Sequence, residues 1–480
     1  QGGGSGTAGT GGEGGSAGGG GDAGAGGSAG NSGSCTTSFD CPGMDDECKQ
    51  RTCTAGVCGL AFTPKGKIVA VQEDGDCKQN VCDGEGKIVS VSDESDVPKV
   101  IAACAEGSCS NGVPEKKLAA IGTGCDEGGG NVCDGKGTCV ATFVVVRVGA
   151  GVNTLDGRTA PVFLEERLIS DGTLLPLDPV KNPLVLPSSG SGDKLTLTGS
   201  GILEGNLSRS LDGKYLVLGG YDVDAGVDKV AGSPTTQVKR VVGRLDRSSK
   251  FDASTKLDTA FNNGSIRSAC TTDGLQIWAS GIGSGNSGGI WATSFGSKMA
   301  GDRVLAEASA GIRFCHFFFD RLYGTAKVAP YVSVFQTTDA IPTQVGQQAT
   351  TLPGLPTDNK PSPLSFVLLD TDANGDPDLL YIADDRTTGT EGGVYKWVWD
   401  GSTWKPGSPP RISLGPTTGA RGLAGFLRGK EVTLIVTTHP ASANTIKKVV
   451  DNLELGVPVV TDLHKAPTHT VFRGVALGTR

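Results

Sequence analysis

Histidine and basic residues are scarce in this sequence. The 480 residues include four histidines, none before His316, and 43 lysines and arginines against 51 aspartates and glutamates. The net charge is therefore −8 and the isoelectric point is about 5.2. This balance argues against a general nucleic-acid binder, because such a protein needs an excess of basic groups against phosphate.

Long apolar runs are lacking as well. The most apolar stretch, FVVVRV at 143–148, contains an arginine and is far shorter than the roughly 18–20 residues that span a bilayer. The chain begins at Gln1 rather than Met, which indicates a processed form or a fragment, and a signal peptide removed upstream is compatible with this start.

Residues 1–34 contain 18 glycines and no apolar side chain larger than alanine. Such a segment cannot bury enough apolar surface to offset its conformational entropy, so we expect disorder. As a flexible coil it would span roughly 30–35 Å. It resembles the linkers that follow the lipid-bearing cysteine of bacterial surface lipoproteins, which implies a tether with a lipid anchor outside this chain. A plain inter-domain linker is the alternative.

Twelve of the 14 cysteines lie in residues 35–140, where apolar residues are few. This even number predicts up to six disulfides and an oxidising compartment. Each link would contribute about 2–4 kcal/mol in place of a larger core. The twelve are Cys35, Cys41, Cys48, Cys53, Cys58, Cys77, Cys82, Cys104, Cys109, Cys125, Cys133 and Cys139.

Zinc is the alternative for these cysteines, because three pairs share the spacing C-x4-C. Structural zinc sites often use histidine, and none occurs here, so disulfides are favoured. NVCDGEGK at 80–87 recurs as NVCDGKGT at 131–138, and its Cys-Asp-Gly-x-Gly core predicts a tight hairpin turn held by a bridge.

The words DCPGMDDECKQRTCTAGVCG, GDCKQNVCDGEGK, SDVP and GNVCDGKGTCV cover nearly all of this segment. It resembles a cysteine-rich module of secreted myxobacterial surface proteins. The resemblance implies a location outside the cell and no particular chemistry, because such modules accompany many different domains.

Residues 141–480 are dense in short β-type runs separated by Gly, Asp, Asn and Pro, such as YLVLGGYD and VTLIVTT. A short segment, an Asp/Gly turn and an apolar strand recur from near residues 205, 264, 310, 362, 419 and 469. The spacing suits one four-stranded propeller blade per copy. We therefore predict an all-β, six-bladed propeller.

The sixth copy has only its first strand, in HTVFRGVALGTR. FVVVRVG and APVFLEERLI, near the start of the domain, can supply the missing strands and close the ring. A seventh blade remains an alternative, because residues 141–204 form a long segment. FVVVRVG, GGVYKW and FRGVA resemble uncharacterised bacterial propeller proteins, and this resemblance implies no activity.

GNSGG around Ser287 resembles the nucleophile turn of trypsin-like proteases. That triad needs a histidine and an aspartate upstream of the serine, and no histidine precedes Ser287. A hairpin loop between LQIWAS and GGIWATSF is therefore predicted instead.

DTDANGDPD offers a candidate calcium site. Its oxygen-bearing residues alternate around Gly375, as calcium loops of EF-hands and integrin-type repeats do. Tyr381 stands where an EF-hand has its bidentate glutamate, and a polar β-turn is the alternative. The candidate ligands are Asp370, Asp372, Asn374, Asp376 and Asp378.

Arginine recurs at similar places in five of the six copies. If these segments are the innermost strands, the guanidinium groups converge on the channel and favour a carboxylate, sulfate or phosphate. The alternative is structural pairing with aspartates of the blades, such as Asp212, Asp273 or Asp320. The five are Arg209, Arg267, Arg313, Arg421 and Arg473.

Cysteine and histidine also occur on the predicted inner strands. Cys270 and Cys315 occupy equivalent strands of adjacent copies, as a bridge or as two buried thiols. His316 beside them is interpreted as a packed core residue rather than a general base.

The cluster of Trp397, Trp399 and Trp404 is interpreted as blade packing, with sugar stacking as the alternative. Trp397 and Trp399 should share a strand face.

Together these features predict a secreted or surface-tethered protein that binds a glycan, an anionic ligand or a surface partner at the propeller channel. A calcium-dependent lactonase or sugar dehydrogenase is the enzymatic alternative, and an envelope or matrix component is the structural one. Residues 1–34, 35–140 and 141–480 are the predicted tether, disulfide-rich module and propeller. The cofactor that the sequence indicates is Ca²⁺.

Overall fold

The computed structural model describes residues 34–100, 102–176, 182–306, 311–358, 360–387, 391–440 and 442–479. The predicted tether, residues 1–34, lies outside the described residues except for Ser34. The chain divides into two compact units, Gln1–Pro98 with Ser108–Glu115 and Lys99–Gly107 with Lys116–Arg480. In the described part of the chain, no helix is long and apolar enough to cross a bilayer.

The cysteine-rich region consists of short strands joined by turns, after a 3₁₀ turn at Ser38–Asp40. The strands are β1 Lys49–Thr54, β2 Val57–Phe62, β3 Lys78–Cys82, β4 Ile88–Ser92, β5 Ala105–Ser110, β6 Val113–Leu118, β7 Val132–Cys133 and β8 Cys139–Val140. Their side chains are mostly exposed or half-buried, and cysteines supply most of the buried positions. Cross-links therefore take the place of an apolar core.

Five four-stranded antiparallel blades follow one another along the chain. Five strands precede them: β9 Thr142–Val148, β10 Thr159–Ala160, β11 Val162–Leu168, β12 Leu184–Val185 and β13 Leu197–Thr198. Blade 1 contains β14 Leu207–Arg209, β15 Tyr215–Tyr221, β16 Arg240–Asp246 and β17 Phe251–Leu257, with a 3₁₀ turn at Val230–Gly232. Blade 2 contains β18 Ile266–Thr271, β19 Gln276–Gly281, β20 Gly289–Ser294 and β21 Asp302–Ala306.

Blades 3 to 5 repeat this arrangement. Blade 3 contains β22 Phe314–Phe318, β23 Arg321–Ala326, β24 Ser333–Thr337 and β25 Ala349–Thr351. Blade 4 contains β26 Pro363–Leu369, β27 Leu379–Asp384, β28 Gly393–Trp399 and β29 Trp404–Ile412. Blade 5 contains β30 Ala420–Arg428, β31 Glu431–Thr438, β32 Thr445–Asn452 and β33 Val459–Lys465.

Blade 6 joins the two ends of the propeller. Its strands are β34 Val471–Leu477, β9, β11 and β12, and Phe472 lies opposite Arg147 while Val475 lies opposite Val145. The prediction of a six-bladed propeller is confirmed. The seven-blade alternative is wrong, because residues 141–204 supply three strands of blade 6 and the small β10–β13 sheet rather than a blade of their own.

Each pair of neighbouring blades shares one apolar cluster. Strand alternation creates this pattern: on β15, Leu216 and Leu218 face blade 6 while Val217 faces blade 2. On β19, Ile277 faces blade 1 and Trp278 faces blade 3. The remaining clusters join blades 3 and 4, 4 and 5, and 5 and 6. Six such interfaces make a closed ring without an open sheet edge at its seam.

Candidate functional site

The first strand of each blade lines the centre of the ring. β14, β18, β22, β26, β30 and β34 each contact the first strands of both neighbouring blades. Arg267, Arg421 and Arg473 lie near the beginning of such strands, and Arg313 directly precedes β22. We call this part of the channel, with these four residues, the arginine end.

Two of these arginines link adjacent blades through hydrogen bonds to backbone carbonyls and a serine hydroxyl. Nη1 of Arg267 donates to the Gly311 carbonyl oxygen at 2.8 Å, at the entrance to blade 3. Nη1 of Arg313 donates to Ser362 Oγ at 3.0 Å, at the entrance to blade 4. The recurrence of arginine therefore has a structural component, because each side chain satisfies groups at the start of the next inner strand.

Arg473 is only partly satisfied. It is 4% exposed, and its Nη2 donates to the carbonyl oxygens of Thr198 and Gly199. Its Nε and Nη1 have no partner among the described residues. Burial lowers its pKa to about 10; the carboxylate of Glu204 opposes this shift and the positive charge of Arg421 adds to it.

Arg421 is 2% exposed, and its Nε and Nη2 also have no partner in the described part of the chain. Burial lowers the pKa of Arg421, and Asp385 opposes the shift. Asp385 also lies 3.8 Å from Nη1 of Arg313. Asp384 also acts on Arg313. Three carboxylates, Asp384, Asp385 and Glu204, therefore face four guanidinium groups in a buried region where uncompensated charge is costly.

Arg209 does not lie at the arginine end, and its role in ligand binding stays a prediction. The Gly474 amide bonds the Gly205 carbonyl oxygen, so Arg473 lies beside Gly205 rather than beside Arg209. Arg209 instead reaches the Gly478 carbonyl oxygen at 3.0 Å. The copies look alike in sequence, but Arg209 is displaced along its strand relative to the other arginines. β14 is only three residues long, and Arg209 is its last residue.

Arg209 shares a cavity of about 140 Å³ with His316 and Phe318. Burial, together with the positive charge of Arg209, lowers the pKa of His316 to about 3. The imidazole packs against the ring of Phe318 with centroids 4.5 Å apart, and its Nδ1 has no partner among the described residues. A neutral, packed histidine fits the interpretation as a core residue better than a general base.

The proposed aspartate partners of the arginines are elsewhere. Asp212 accepts a hydrogen bond from Ser210 Oγ in a turn, and Asp273 accepts one from the Leu275 amide. Asp320 lies in the turn between β22 and β23. Structural pairing of the arginines thus uses backbone carbonyls and Asp385 instead.

The candidate calcium loop joins β26 to β27. Asp370, Asp372 and Asp378 offer carboxylate oxygens that all lie within 4.8 Å of one another. The backbone shapes this cluster, since the Gly375 amide donates to Asp370 at 2.8 Å and the Thr371 amide donates to Asp378 at 2.9 Å. Gly375 has a φ of 95°, which favours glycine there.

Asn374 contacts this carboxylate cluster, because its side-chain amide donates to Asp372 at 3.0 Å. Asp376 lines a neighbouring cavity. The carboxylate oxygens of this loop suit a hard cation such as calcium, which takes oxygen ligands.

All twelve cysteines of the first segment form disulfides, which leaves no thiolate among them for zinc. The C-x4-C partners are not bonded to each other; Cys53 and Cys58, for example, bond upstream cysteines. The pairs are Cys35–Cys53, Cys41–Cys58, Cys48–Cys82, Cys77–Cys109, Cys104–Cys133 and Cys125–Cys139.

Cys270 and Cys315 are buried free thiols on the inner strands of blades 2 and 3. Their sulfur atoms are 2.8 Å apart. Burial raises the pKa of the Cys270 thiol well above its ordinary value, and the neighbouring Cys315 raises it further.

Ser287 lies in the loop between β19 and β20, and its Oγ donates to the Ser284 carbonyl oxygen at 2.8 Å. The hydroxyl is thus part of the loop's own hydrogen bonding, as a hairpin connection requires.

The tryptophans belong to two different cavities. Trp397 lines one of about 250 Å³ with Tyr395 and Arg386. Trp399 and Trp404 line another of about 480 Å³. All three also pack within the cluster between blades 3 and 4, which accords with the interpretation as blade packing.

Sequence reasoning missed three residues of the arginine end: Glu204, Asn206 and Asp385. The Asn206 side-chain amide donates to the carbonyl oxygens of Arg267 at 3.2 Å and Arg313 at 3.4 Å, across 61 and 107 positions of sequence. Only the ring brings such distant residues together. For Asp385, the pair of acidic residues at the end of an apolar strand was an available signal.

No protein-family model matches the chain, and no curated protein matches it. Similar solved structures include a prolyl endopeptidase, with a TM-score of 0.31 and 10% identity over 82% of this chain and 50% of that chain. AztD from Citrobacter koseri has a TM-score of 0.30 and 10% identity over 70% of this chain and 98% of that chain.

Dihydro-heme d1 dehydrogenase NirN has a TM-score of 0.28 and 11% identity over 60% of this chain and 74% of that chain. The chain spans half the length of the prolyl endopeptidase. Scores this low do not bear on function.

Proposed function

We propose that this chain is an extracellular binding protein whose propeller channel takes an anionic group at the arginine end. The observation that carries this proposal is the pair Arg421 and Arg473, both nearly fully buried, with four guanidinium nitrogens that have no partner among the described residues. Buried polar groups are normally hydrogen-bonded, and an uncompensated buried charge costs several kcal/mol. A carboxylate, sulfate or phosphate would supply both the acceptors and the negative charge.

The proposed location rests on the cysteine-rich region. Six disulfides favour an oxidising environment outside the cytosol. The resemblance of residues 35–140 to the myxobacterial surface module, and of residues 1–34 to lipoprotein linkers, supports attachment at the outer cell surface. The boundaries between tether, module and propeller are part of this proposal.

The test is titration calorimetry with acetate, sulfate, phosphate and galacturonate at constant ionic strength. We expect at least one anion to bind, and Arg421→Met to weaken its binding at least tenfold. Arg411→Met is the matched control, because Arg411 bonds the Gly392 carbonyl oxygen on blade 4 and takes no part in the arginine end. Equal affinities of the two variants, or no binding of any anion, would contradict the proposal.

We also propose calcium binding by the loop with Asp370, Asp372 and Asp378. This loop is largely exposed and joins two strands of blade 4, so a structural role that supports binding is favoured over a channel enzyme of the lactonase or dehydrogenase type. Calcium should raise the melting temperature of the protein, and Asp372→Asn should reduce that rise. A rise that is the same in both proteins would assign the effect to another site.

A further inference from the structure

A second cavity, independent of the arginine end, lies between blades 3 and 4. Its volume is about 480 Å³, within the roughly 300–1,000 Å³ usual for small-molecule sites. Strands β23 and β24 form one side, and the β26–β27 and β28–β29 connections form the other. Its polar and aromatic lining includes Arg321, Tyr323, Gln336, Asp376, Trp399 and Trp404.

Aromatic rings form part of the wall of this cavity. Trp399 and Trp404 lie with ring centroids 5.6 Å apart and planes inclined at 57°. Trp404 and Tyr323 are buried, whereas Trp399 is half-buried. The negative face of an aromatic ring attracts polarised C–H groups, such as those on one side of a pyranose.

Several polar groups beside these rings are open to a ligand. Among the described residues, the side-chain amide of Gln336, the hydroxyl of Tyr323 and the indole N–H of Trp399 have no hydrogen-bond partner. Arg321 uses only Nη1, which donates to the carbonyl oxygens of Thr337 and Thr338. The set includes both donors and acceptors, which suits hydroxyl groups because each hydroxyl can act as either.

The cavity contains charges of both signs. Arg321 contributes one positive charge, and Asp376 and Asp378 contribute two negative charges. The Asp378 carboxylate accepts hydrogen bonds from the amide and hydroxyl of Thr371. Burial raises the pKa of Tyr323, Arg321 opposes that shift and Asp376 adds to it, so both charged groups act on this hydroxyl. With two carboxylates and one guanidinium group, the lining disfavours an anion, and its hydroxyl and amide groups suit a neutral polar ligand.

We propose that this cavity binds a neutral saccharide, with one sugar ring against Trp399 and its hydroxyls on Gln336, Tyr323 and Asp376. The saccharide is a free disaccharide or the end of a longer glycan, which have the same chemistry. The site differs from the arginine end in position, charge and residues, so either can fail without the other.

The experiment uses the whole chain and measures tryptophan fluorescence on addition of maltose, cellobiose, lactose, xylobiose and N,N′-diacetylchitobiose. A parallel arm uses immobilised starch, cellulose and chitin to separate a free disaccharide from a glycan end. We expect at least one saccharide to bind with a dissociation constant below about 1 mM, and Trp399→Leu to weaken it at least tenfold. Gln336→Ala, a smaller change at a half-buried position, should weaken it about fivefold.

Trp397→Leu is the matched control. Trp397 lies two residues away on β28 and packs in the same apolar cluster, but it lines the other cavity. Its substitution should leave the affinity unchanged. Failure of every saccharide to bind, or equal weakening by Trp397→Leu and Trp399→Leu, would overturn the proposal. Binding that depends on Arg421 instead would assign the saccharide to the arginine end.

Discussion

The channel arginines differ in their hydrogen bonding. Arg267 and Arg313 bond groups at the entrance to the next blade, and these bonds explain their recurrence without a ligand. The guanidinium group of Arg421 makes no hydrogen bond to the described residues. In Arg473, only Nη2 donates hydrogen bonds. The sequence repeat could predict that arginines lie on inner strands. It could not show which guanidinium groups have hydrogen-bond partners, because those partners belong to other blades.

His316 should make the protein acid-sensitive. The folded state keeps this imidazole neutral down to about pH 3, whereas in the unfolded chain its pKa is the ordinary 6.5. The stability due to neutral His316 is complete above pH 6.5 and is lost as pH falls toward 3, because only the unfolded state takes up the proton.

Denaturant unfolding at pH 7 and pH 5 measures this effect. We expect the acid-induced loss of unfolding free energy to be about 1–2 kcal/mol smaller in His316→Gln than in the unsubstituted protein. Any packing cost of the substitution is present at both pH values and cancels. An equal loss in both proteins would show that His316 titrates normally.

Cys270 and Cys315 should resist alkylation in the folded protein. Burial and the raised pKa of Cys270 keep its reactive thiolate form scarce. Iodoacetamide at pH 8 should therefore label neither residue in the folded, unreduced protein and both after denaturation, as counted by mass spectrometry. Absence of labelling after denaturation would mean that the two sulfurs form a seventh disulfide.

Three buried polar side chains link blade 4 to blade 5. The Asp451 carboxylate on β32 lies 2.9 Å from Lys396 Nζ and accepts a hydrogen bond of 2.6 Å from the Tyr381 hydroxyl. All three side chains are buried. Such a group stabilises only while it is complete, because removal of one partner leaves the other charge buried alone.

Asp451→Ala should therefore cost about 3–5 kcal/mol of unfolding free energy. Adding Lys396→Met to this variant removes the stranded ammonium group and should recover much of the loss. Chemical denaturation of the two variants measures both values. A double variant no more stable than Asp451→Ala would show that the ammonium charge is not the cause.

The blades were largely predictable, whereas the site was not. Each repeat start falls within a few residues of an inner strand, as at Ile266, Phe314 and Ala420, because the Asp/Gly turns and apolar alternation are local signals. Local signals also indicated the Asp-rich turn at Asp370–Asp378 and the loop at Ser287. The partners Glu204 and Asp385 depend on contacts across the ring, which no local pattern records.

The whole propeller depends on its seam in blade 6, where β34 pairs with β9. A chain that ends at His469 loses β34 and exposes the edge of β9, so we expect it to lose cooperative thermal unfolding. Phe472→Ala keeps the strand but empties a fully buried position, and it should cost about 3–5 kcal/mol. A chain that ends at Gly478 is the control. Unchanged unfolding of the chain that ends at His469 would contradict a ring closed by β34.

The most direct test of anion binding is the location of the anion. Crystals grown or soaked with selenate can be measured at the selenium absorption edge. We predict an anomalous peak within hydrogen-bond distance of the open nitrogens of both Arg421 and Arg473, and its loss in Arg421→Met crystals. Open nitrogens bonded only to water, with no peak between the two arginines at high selenate, would contradict an anion site in the channel.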